Sequence, residues 1–93
     1  MDIVYRPRFT RRYKKLPSSR RTAVQQAIEQ LLDVMETHRV PPGGLGVKRL
    51  QGDFWEIRSD IRDRIVFLLR GASLEFLFVG NHDDIRRFLK QSF

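Results

Sequence analysis

The fold is decided by residues 64–84, which read RIVFLLRGASLEFLFVGNHDD. Two stretches rich in Val, Ile, Leu and Phe, residues 64–70 and 74–79, predict two β-strands. The intervening Gly71-Ala72-Ser73 has the composition of a turn. Because so short a connection joins only neighbouring strands that run in opposite directions, this segment predicts an antiparallel hairpin.

Two further strands are predicted upstream of the hairpin. They are residues 47–50 and 54–59, with a break at Gln51-Gly52-Asp53 and a tight connection near residues 60–63. Consecutive strands with short connections form an antiparallel meander. In the second of them, period-2 alternation places Trp55 and Ile57 on one face and Phe54, Glu56 and Arg58 on the other.

Helices are predicted before and after the meander along the chain. Residues 2–6 read as a short strand, after which Pro7 suits the first turn of a helix that runs to about Leu16 and is closed by Pro17. Ser18 or Ser19 can cap a second helix. The apolar stripe of that helix consists of Val24, Ile28, Leu31, Leu32 and Met35.

Residues 39–46 are rich in Pro and Gly and predict a loop within one domain. Asp83 can cap a short last helix with Ile85, Phe88 and Leu89 at helical spacing. The predicted order is therefore β-α-α-β-β-β-α in a single domain of residues 1–93. This is an α+β fold with a small, mostly antiparallel sheet and the helices packed on one face.

The charge of the chain is uneven. Its 93 residues include 18 Lys plus Arg and 11 Asp plus Glu, a net charge of +7. Residues 1–21 hold eight bases and one acid, so the rest of the chain holds ten of each. A basic helix of this kind is either a solvated face or a surface that attracts a nucleic acid or an acidic protein.

Several classes of protein are excluded or disfavoured. The chain has no cysteine, which excludes disulfides, thiolate metal sites and a cysteine nucleophile. Its longest apolar run, residues 65–69, is far shorter than the roughly 20 residues of a membrane span. The two histidines do not have the spacing of a metal site, and the chain has neither a phosphate-loop glycine pattern nor a serine nucleophile elbow. We therefore expect a cytoplasmic protein without a cofactor, a metal or a membrane partner.

The candidate chemical groups come from the meander and its end. If residues 54–59 and 64–70 pair as a hairpin, Arg58 and Arg64 lie side by side, and His82 emerges where the last strand meets the last helix. An alternative is that both arginines are surface residues paired with Glu56, Asp60 or Asp63, and that His82 is a surface or capping residue.

Together these groups suit a phosphodiester. Cleavage of RNA by its own 2′-hydroxyl needs a base, an acid and cations for the charge that develops on phosphorus. His82 can exchange a proton near neutral pH, arginine binds phosphate oxygens as a fork, and Glu56 is another candidate proton acceptor.

The chain resembles the RelE/ParE superfamily of bacterial toxins over nearly its whole length. The resemblance rests on the order of the elements and on five short motifs: Tyr13-Lys14-Lys15-Leu16-Pro17, Lys48-Arg49-Leu50-Gln51-Gly52, Trp55-Glu56-Ile57-Arg58, Arg64-Ile65-Val66-Phe67 and Val79-Gly80-Asn81-His82. The RelE branch consists of ribosome-dependent mRNA endonucleases of type II toxin–antitoxin pairs. The ParE branch shares the fold and poisons DNA gyrase.

The resemblance implies a role for each matching residue. Arg64 would stabilise transition-state charge together with Arg58, while His82 and Glu56 would carry protons. Phe88 stands where a tyrosine often acts on the mRNA, and here it would stack on a base.

The other basic residues would bind RNA. Lys48 and Arg49 would contact the substrate. A docking set on the first helix would contact the ribosome: Arg8, Arg11, Arg12, Lys14 and Lys15.

The resemblance also implies the partners, which are the ribosome, mRNA and a cognate antitoxin bound in a hetero-oligomer. The antitoxin should carry an acidic amphipathic segment that covers the basic surface or displaces the last helix. Two alternatives stay open: a ParE-like gyrase inhibitor, and a non-catalytic member that binds only an antitoxin or RNA.

Overall fold

The computed structural model describes residues 1–37 and 46–92, so His38 and most of the predicted loop at residues 39–46 lie outside the described residues. The described residues form five strands and three helices in the order β-α-α-β-β-β-β-α. The strands are β1 (Asp2–Tyr5), β2 (Val47–Gln51), β3 (Phe54–Arg58), β4 (Arg64–Arg70) and β5 (Ser73–Gly80). The helices are α1 (Pro7–Lys14), α2 (Ser18–Thr37) and α3 (His82–Ser92). None of these helices is long and apolar enough to cross a membrane.

All five strands form one sheet in the order β1-β5-β4-β3-β2. The strands β2 to β5 pair with their sequence neighbours as the predicted antiparallel meander, and β1 pairs with β5 in parallel. The chain therefore starts at one edge of the sheet, and α1 and α2 connect it to the other edge. The α+β class and the mostly antiparallel sheet are confirmed. All four segments predicted as strands of the meander are strands, so the predicted order β-α-α-β-β-β-α counted one strand too few.

The two faces of the sheet carry separate apolar cores. Alternating residues of β4 point to opposite faces, and Ile65 and Phe67 belong to one core while Val66 belongs to the other. The first core takes Phe9 from α1 and Leu31 from α2. The second core takes its helical residues from α3.

The prediction that all three helices pack on one face is therefore wrong. The buried side chains of α3, Ile85 and Phe88, pack with Val66 and Phe78 on the face opposite α1 and α2. The physical reason is that both faces of β4 are apolar, so each needs a cover. A single layer of helices would leave Val66 and Phe78 in water.

A register shift between β4 and β5 divides the aromatic residues of β5 between these cores. Val66 pairs with Phe78 and Phe67 pairs with Phe76, so Leu77 is an extra residue in β5. Phe76 consequently faces α1 and Phe78 faces α3. Strict alternation would have put both rings on the same face.

The bounds of α3 differ from the predicted ones. The helix begins at His82, and its cap is Asn81 rather than Asp83, because the Asn81 side chain accepts the hydrogen bond from the Asp84 N–H at 2.8 Å. His82 is therefore the first residue of the helix and follows directly on the capping turn.

Candidate functional site: a cleft between the meander and the last helix

A cleft of about 290 Å³ lies where β2, β3 and β4 meet the start of α3. It is lined by Gly46, Val47, Lys48, Glu56, Arg58, Arg64 and His82. This set contains all four residues that were predicted to be catalytic. It also contains Lys48, one of the two basic residues that were predicted to contact the substrate. The cleft thus combines three cationic side chains, one carboxylate and one imidazole.

The register of the sheet brings these side chains together. Arg58 pairs with Arg64 across β3 and β4, and Lys48 pairs with Glu56 across β2 and β3. These residues share the face on which α3 packs. The position of α3 on this face is what brings His82 to Arg64 and Glu56.

The two arginines of the cleft have different surroundings. Arg64 is 22% exposed, and its Nε lies 3.7 Å from Oε1 of Glu56, whose side chain is 14% exposed. Arg58 is exposed and has no ion-pair partner among residues 1–37 and 46–92. The alternative of a surface pair thus holds for Arg64 with Glu56, but this pair lines the cleft. The Arg58 guanidinium has no acidic partner there within the part of the chain that the structure describes.

The turn between the two arginines is held by Asp63 and Asp60. Asp63 is fully buried and binds Arg20 of α2 through two hydrogen bonds of 2.7 and 2.6 Å. Asp60 accepts hydrogen bonds from the N–H groups of Arg62 and Asp63. Neither acid pairs with Arg58 or Arg64, so both are structural residues of the turn that joins β3 and β4.

His82 is exposed and stands on a hydrogen-bonded turn. The Asp84 N–H donates to Asn81 Oδ1 at 2.8 Å and the Asn81 N–H donates to Asp84 Oδ2 at 3.0 Å, which is a reciprocal capping box. Burial raises the pKa of Asp84, but the bond from Asn81 and the charges of Arg12 and Arg87 outweigh it. The pKa of this carboxyl therefore lies below its usual value.

Comparison with known proteins finds solved structures only, since no family model and no curated protein sequence matches the chain. A chain of the RelB–RelE antitoxin–toxin complex from Methanococcus jannaschii has a TM-score of 0.69 at 18% identity, over 91% of this chain and 96% of that one. A chain of the E. coli DinJ–YafQ complex has a TM-score of 0.66 at 17% identity, over 90% and 96%. The YoeB/ParE toxin from Agrobacterium tumefaciens has a TM-score of 0.57 at 23% identity, over 88% and 99%.

The chain has a RelE-like fold. At these identities the likeness concerns the fold, and it covers nearly the whole length of both chains in each comparison. The resemblance that the sequence motifs indicated is confirmed at this level.

Two residues predicted to bind RNA lie away from the cleft of this RelE-like fold. Phe88 is 7% exposed, and its ring stacks on Phe78 at a centroid distance of 4.8 Å with the Arg8 guanidinium 5.2 Å away. A ring covered in this way is a core residue and offers no open face to a base. Arg49 lies over Trp55 on the opposite face of the sheet and donates to the Gly52 carbonyl.

The five residues of the predicted docking set fall into two groups. Arg8 bonds to Gln91 of α3 at 3.3 Å, and Arg12 forms an ion pair with Asp84, so both join α1 to α3. The remaining three residues are exposed and have no ion-pair partner among the described residues. They are Arg11, Lys14 and Lys15.

A second, larger cavity of about 500 Å³ lies on the other face of the RelE-like sheet. Its lining is mainly aromatic and aliphatic and includes Tyr5, Phe9 and Tyr13. Lys14 and Glu29 are its charged residues. The smaller cleft is therefore the better candidate for chemistry on a phosphodiester, because it gathers cations and proton carriers at one place.

The residues that support the cleft were not among the predicted site residues. Asn81 and Asp84 have the three-residue spacing of a capping box, a local signal that indicates the helix start correctly. Arg20 and Asp63 are 43 residues apart and have no such signal.

Proposed function

We propose that the chain is the toxin of a type II toxin–antitoxin pair and that it cleaves mRNA on the ribosome without a metal ion. The observation that carries the proposal is the cleft in which Arg58, Arg64, Glu56 and His82 lie together. The RelE-like fold supports it, because matching chains come from antitoxin–toxin complexes.

The reaction proposed for the cleft is attack of the RNA 2′-oxygen on the adjacent phosphorus. The new bond joins the 2′-oxygen to phosphorus, and the bond from phosphorus to the 5′-oxygen breaks. The 2′-hydroxyl proton passes to a base, and an acid protonates the 5′-oxygen, which leaves a 2′,3′-cyclic phosphate and a 5′-hydroxyl. Glu56 and His82 are the two groups proposed to carry these protons.

The cations of the cleft provide electrostatic stabilisation. A guanidinium binds two phosphate oxygens as a fork and keeps its charge at any physiological pH. Arg58, which is exposed and unpaired among the described residues, is suited to bind the phosphate, and Lys48 adds a third positive charge at the rim. Arg64 is partly buried beside Glu56, where water screens its charge less.

The test is cleavage of a translated message by purified variants. His82→Ala and Arg64→Ala should each lower the cleavage rate by about a hundredfold or more, the usual cost of losing a proton carrier or an oxyanion-stabilising group. Arg70→Ala is the matched control, since Arg70 lies at the far end of β4 and pairs with Asp53. It should cleave as the wild type does.

The outcomes separate the alternatives. Fragments that end in a 2′,3′-cyclic phosphate and disappear in both cleft variants support the proposal, whereas undiminished cleavage in both would contradict the site. DNA damage with intact mRNA would identify a gyrase poison. A protein that neither cleaves mRNA nor damages DNA would be identified as a binding module.

We further propose that the partner is an antitoxin with an acidic amphipathic segment. Such a segment can neutralise the basic surface of α1, or replace α3 on Val66 and Phe78, where Ile85 and Phe88 are buried. Coexpression with the product of the neighbouring gene should yield a complex in which cleavage of mRNA is inhibited. Failure of the two proteins to co-elute in size-exclusion chromatography would contradict this partner.

A further inference from the structure

We propose that the ion pair between Arg12 and Asp84 is a positioning device that sets His82 in the cleft against Arg64 and Glu56. The inference rests on the proposed function of the cleft and assigns to Arg12 a different role from docking. Neither residue of the ion pair lines the cleft. Both act on His82 through the turn that contains it.

Asp84 holds the start of α3 from within the helix. Its carboxylate accepts the Asn81 N–H, while its own N–H donates to the Asn81 side chain, so the residues on both sides of His82 are bonded to each other. The Ile85 N–H also donates to the Asn81 carbonyl at 3.0 Å. The backbone of His82 therefore lies within a turn that these three hydrogen bonds close.

Arg12 ties this turn to the rest of the protein. Its Nη2 lies 2.9 Å from Asp84 Oδ2, and its Nε donates to the Val79 carbonyl at 2.7 Å. Its guanidinium also lies 4.4 Å from the centre of the Phe78 ring. A single side chain of α1 thus joins the end of β5 to the start of α3, and His82 lies between the two.

Gly80 shows how closely these parts fit. A Cβ atom at Gly80 would lie 2.7 Å from Asp84 Cβ and 2.9 Å from Arg12 Nη2. The same glycine pairs with Arg64 across β4 and β5. The ion pair therefore packs on Gly80, the residue next to Arg64 in the sheet. Through this contact the positions of His82 and Arg64 depend on each other.

Lysine cannot reproduce this arrangement. The guanidinium of Arg12 offers one N–H to the Val79 carbonyl and another to Asp84, whereas an ammonium at the end of a flexible stem is a point charge. Arg12→Lys should keep the attraction to Asp84 and lose the fixed geometry. It therefore separates positioning from charge.

The first experiment is NMR of the free protein, which needs no substrate. The chain has two histidines, so His38→Gln assigns the ring signals of His82. Arg12→Ala, Arg12→Lys and Asp84→Asn should each move the His82 ring signals and speed hydrogen exchange at the Asn81 and Asp84 amides. Arg11→Ala, one residue earlier and exposed, should leave both unchanged.

The second experiment is steady-state cleavage on ribosomes with the same variants. Arg12→Lys and Asp84→Asn should lower kcat by about tenfold to a hundredfold, the effect of a small misplacement of a catalytic group, while KM changes by less than about twofold. Arg11→Ala should instead raise KM. The double variant of Arg12 and Asp84 should be no slower than the worse single variant, because both act through one ion pair.

The results decide two questions separately. His82 signals that stay in place in folded Arg12→Lys and Asp84→Asn proteins would overturn the positioning role, and so would a rise in KM with unchanged kcat. If the signals move but the wild type cleaves no RNA, the proposed function fails and the structural coupling stands. Circular dichroism of each variant confirms that the fold is kept.

Discussion

At the scale of single residues, the arginines of this chain differ in what they bind. Arg20 meets the buried carboxylate of Asp63 with two N–H groups, at 2.7 and 2.6 Å. The hydrogen bond to Asp63 raises the pKa of Arg20 above its ordinary value. Because Asp63 directly precedes Arg64, this ion pair anchors one side of the cleft to α2.

Removing the side chain of Arg20 should therefore lower the free energy of unfolding much more than removing that of Arg21. Arg20→Ala leaves Asp63 buried without its partner, and we expect a loss of about 3 kcal/mol in the free energy of unfolding, measured by urea denaturation. Arg21→Ala is the matched control, because Arg21 makes one hydrogen bond of 3.2 Å to the Leu16 carbonyl. It should lose about 1 kcal/mol.

A double variant, Arg20→Ala with Asp63→Ala, should be more stable than Arg20→Ala alone, since the uncompensated buried charge is gone. Equal losses for Arg20→Ala and Arg21→Ala would show that the pair contributes no more than an ordinary surface contact.

At the scale of elements, the helix α3 depends on the charge at its start. Asp84 completes the capping box with Asn81 and binds Arg12 and Arg87, with N–O distances of 2.9 and 2.6 Å. These contacts lower the pKa of Asp84 despite its burial. A carboxylate in the first turn also interacts favourably with the helix dipole.

The sign of the resulting pH dependence follows from this pKa. The pKa of Asp84 is lower in the folded than in the unfolded chain. The contribution of Asp84 to stability is therefore complete above the unfolded pKa of about 4 and is lost as pH falls through the folded pKa. We expect Asp84→Asn to be less stable than the wild type at neutral pH and the difference to shrink in acid. Urea denaturation at a series of pH values measures it.

Arg12→Ala should reduce the same pH dependence in part, because it removes one of the causes of the lowered pKa. Parallel stability curves for the wild type and Asp84→Asn between about pH 5 and pH 2 would contradict this account.

The helices and strands themselves were largely predictable. The apolar stripe of α2, with Val24, Ile28 and Leu31 buried, follows from period 3.6, and β4 has its predicted bounds. The face chosen by α3 was not predictable, because periodicity shows that a helix has an apolar side but not which layer covers it. The extra residue in β5, Leu77, likewise interrupts the period-2 alternation of apolar residues along the strand.

At the scale of the whole molecule, the positive charge is partly used inside the fold. Arg6 pairs with Glu75, Arg12 with Asp84 and Arg20 with Asp63. Among the exposed cations of α1 and the turn after it, Arg8 bonds to Gln91. The other three have no ion-pair partner among the described residues and are Arg11, Lys14 and Lys15. The surface proposed to bind the ribosome is therefore smaller than the count of basic residues indicates.

This smaller surface should govern the salt dependence of binding. Replacing Arg11, Lys14 and Lys15 by Gln should lower the slope of log affinity for ribosomes against log salt by about 2, since each phosphate contact contributes about 0.7 to 0.9. The control variant replaces Arg70, Arg86 and Lys90, which are exposed elsewhere, and removes the same number of positive charges. An equal change of slope in both variants would mean that net charge alone matters.

The sequence by itself determined the α+β class, the meander and the cross-strand pairing of Arg58 with Arg64, because these depend on local periodicity and short turns. It also indicated His82 at the junction of strand and helix. Only the tertiary structure decided that α3 covers the face of Glu56 and Arg64, that Phe88 is a core residue and that Arg12 binds Asp84. These contacts join residues far apart in the chain, and they form because both faces of the sheet must be covered and a partly buried carboxylate must be paired.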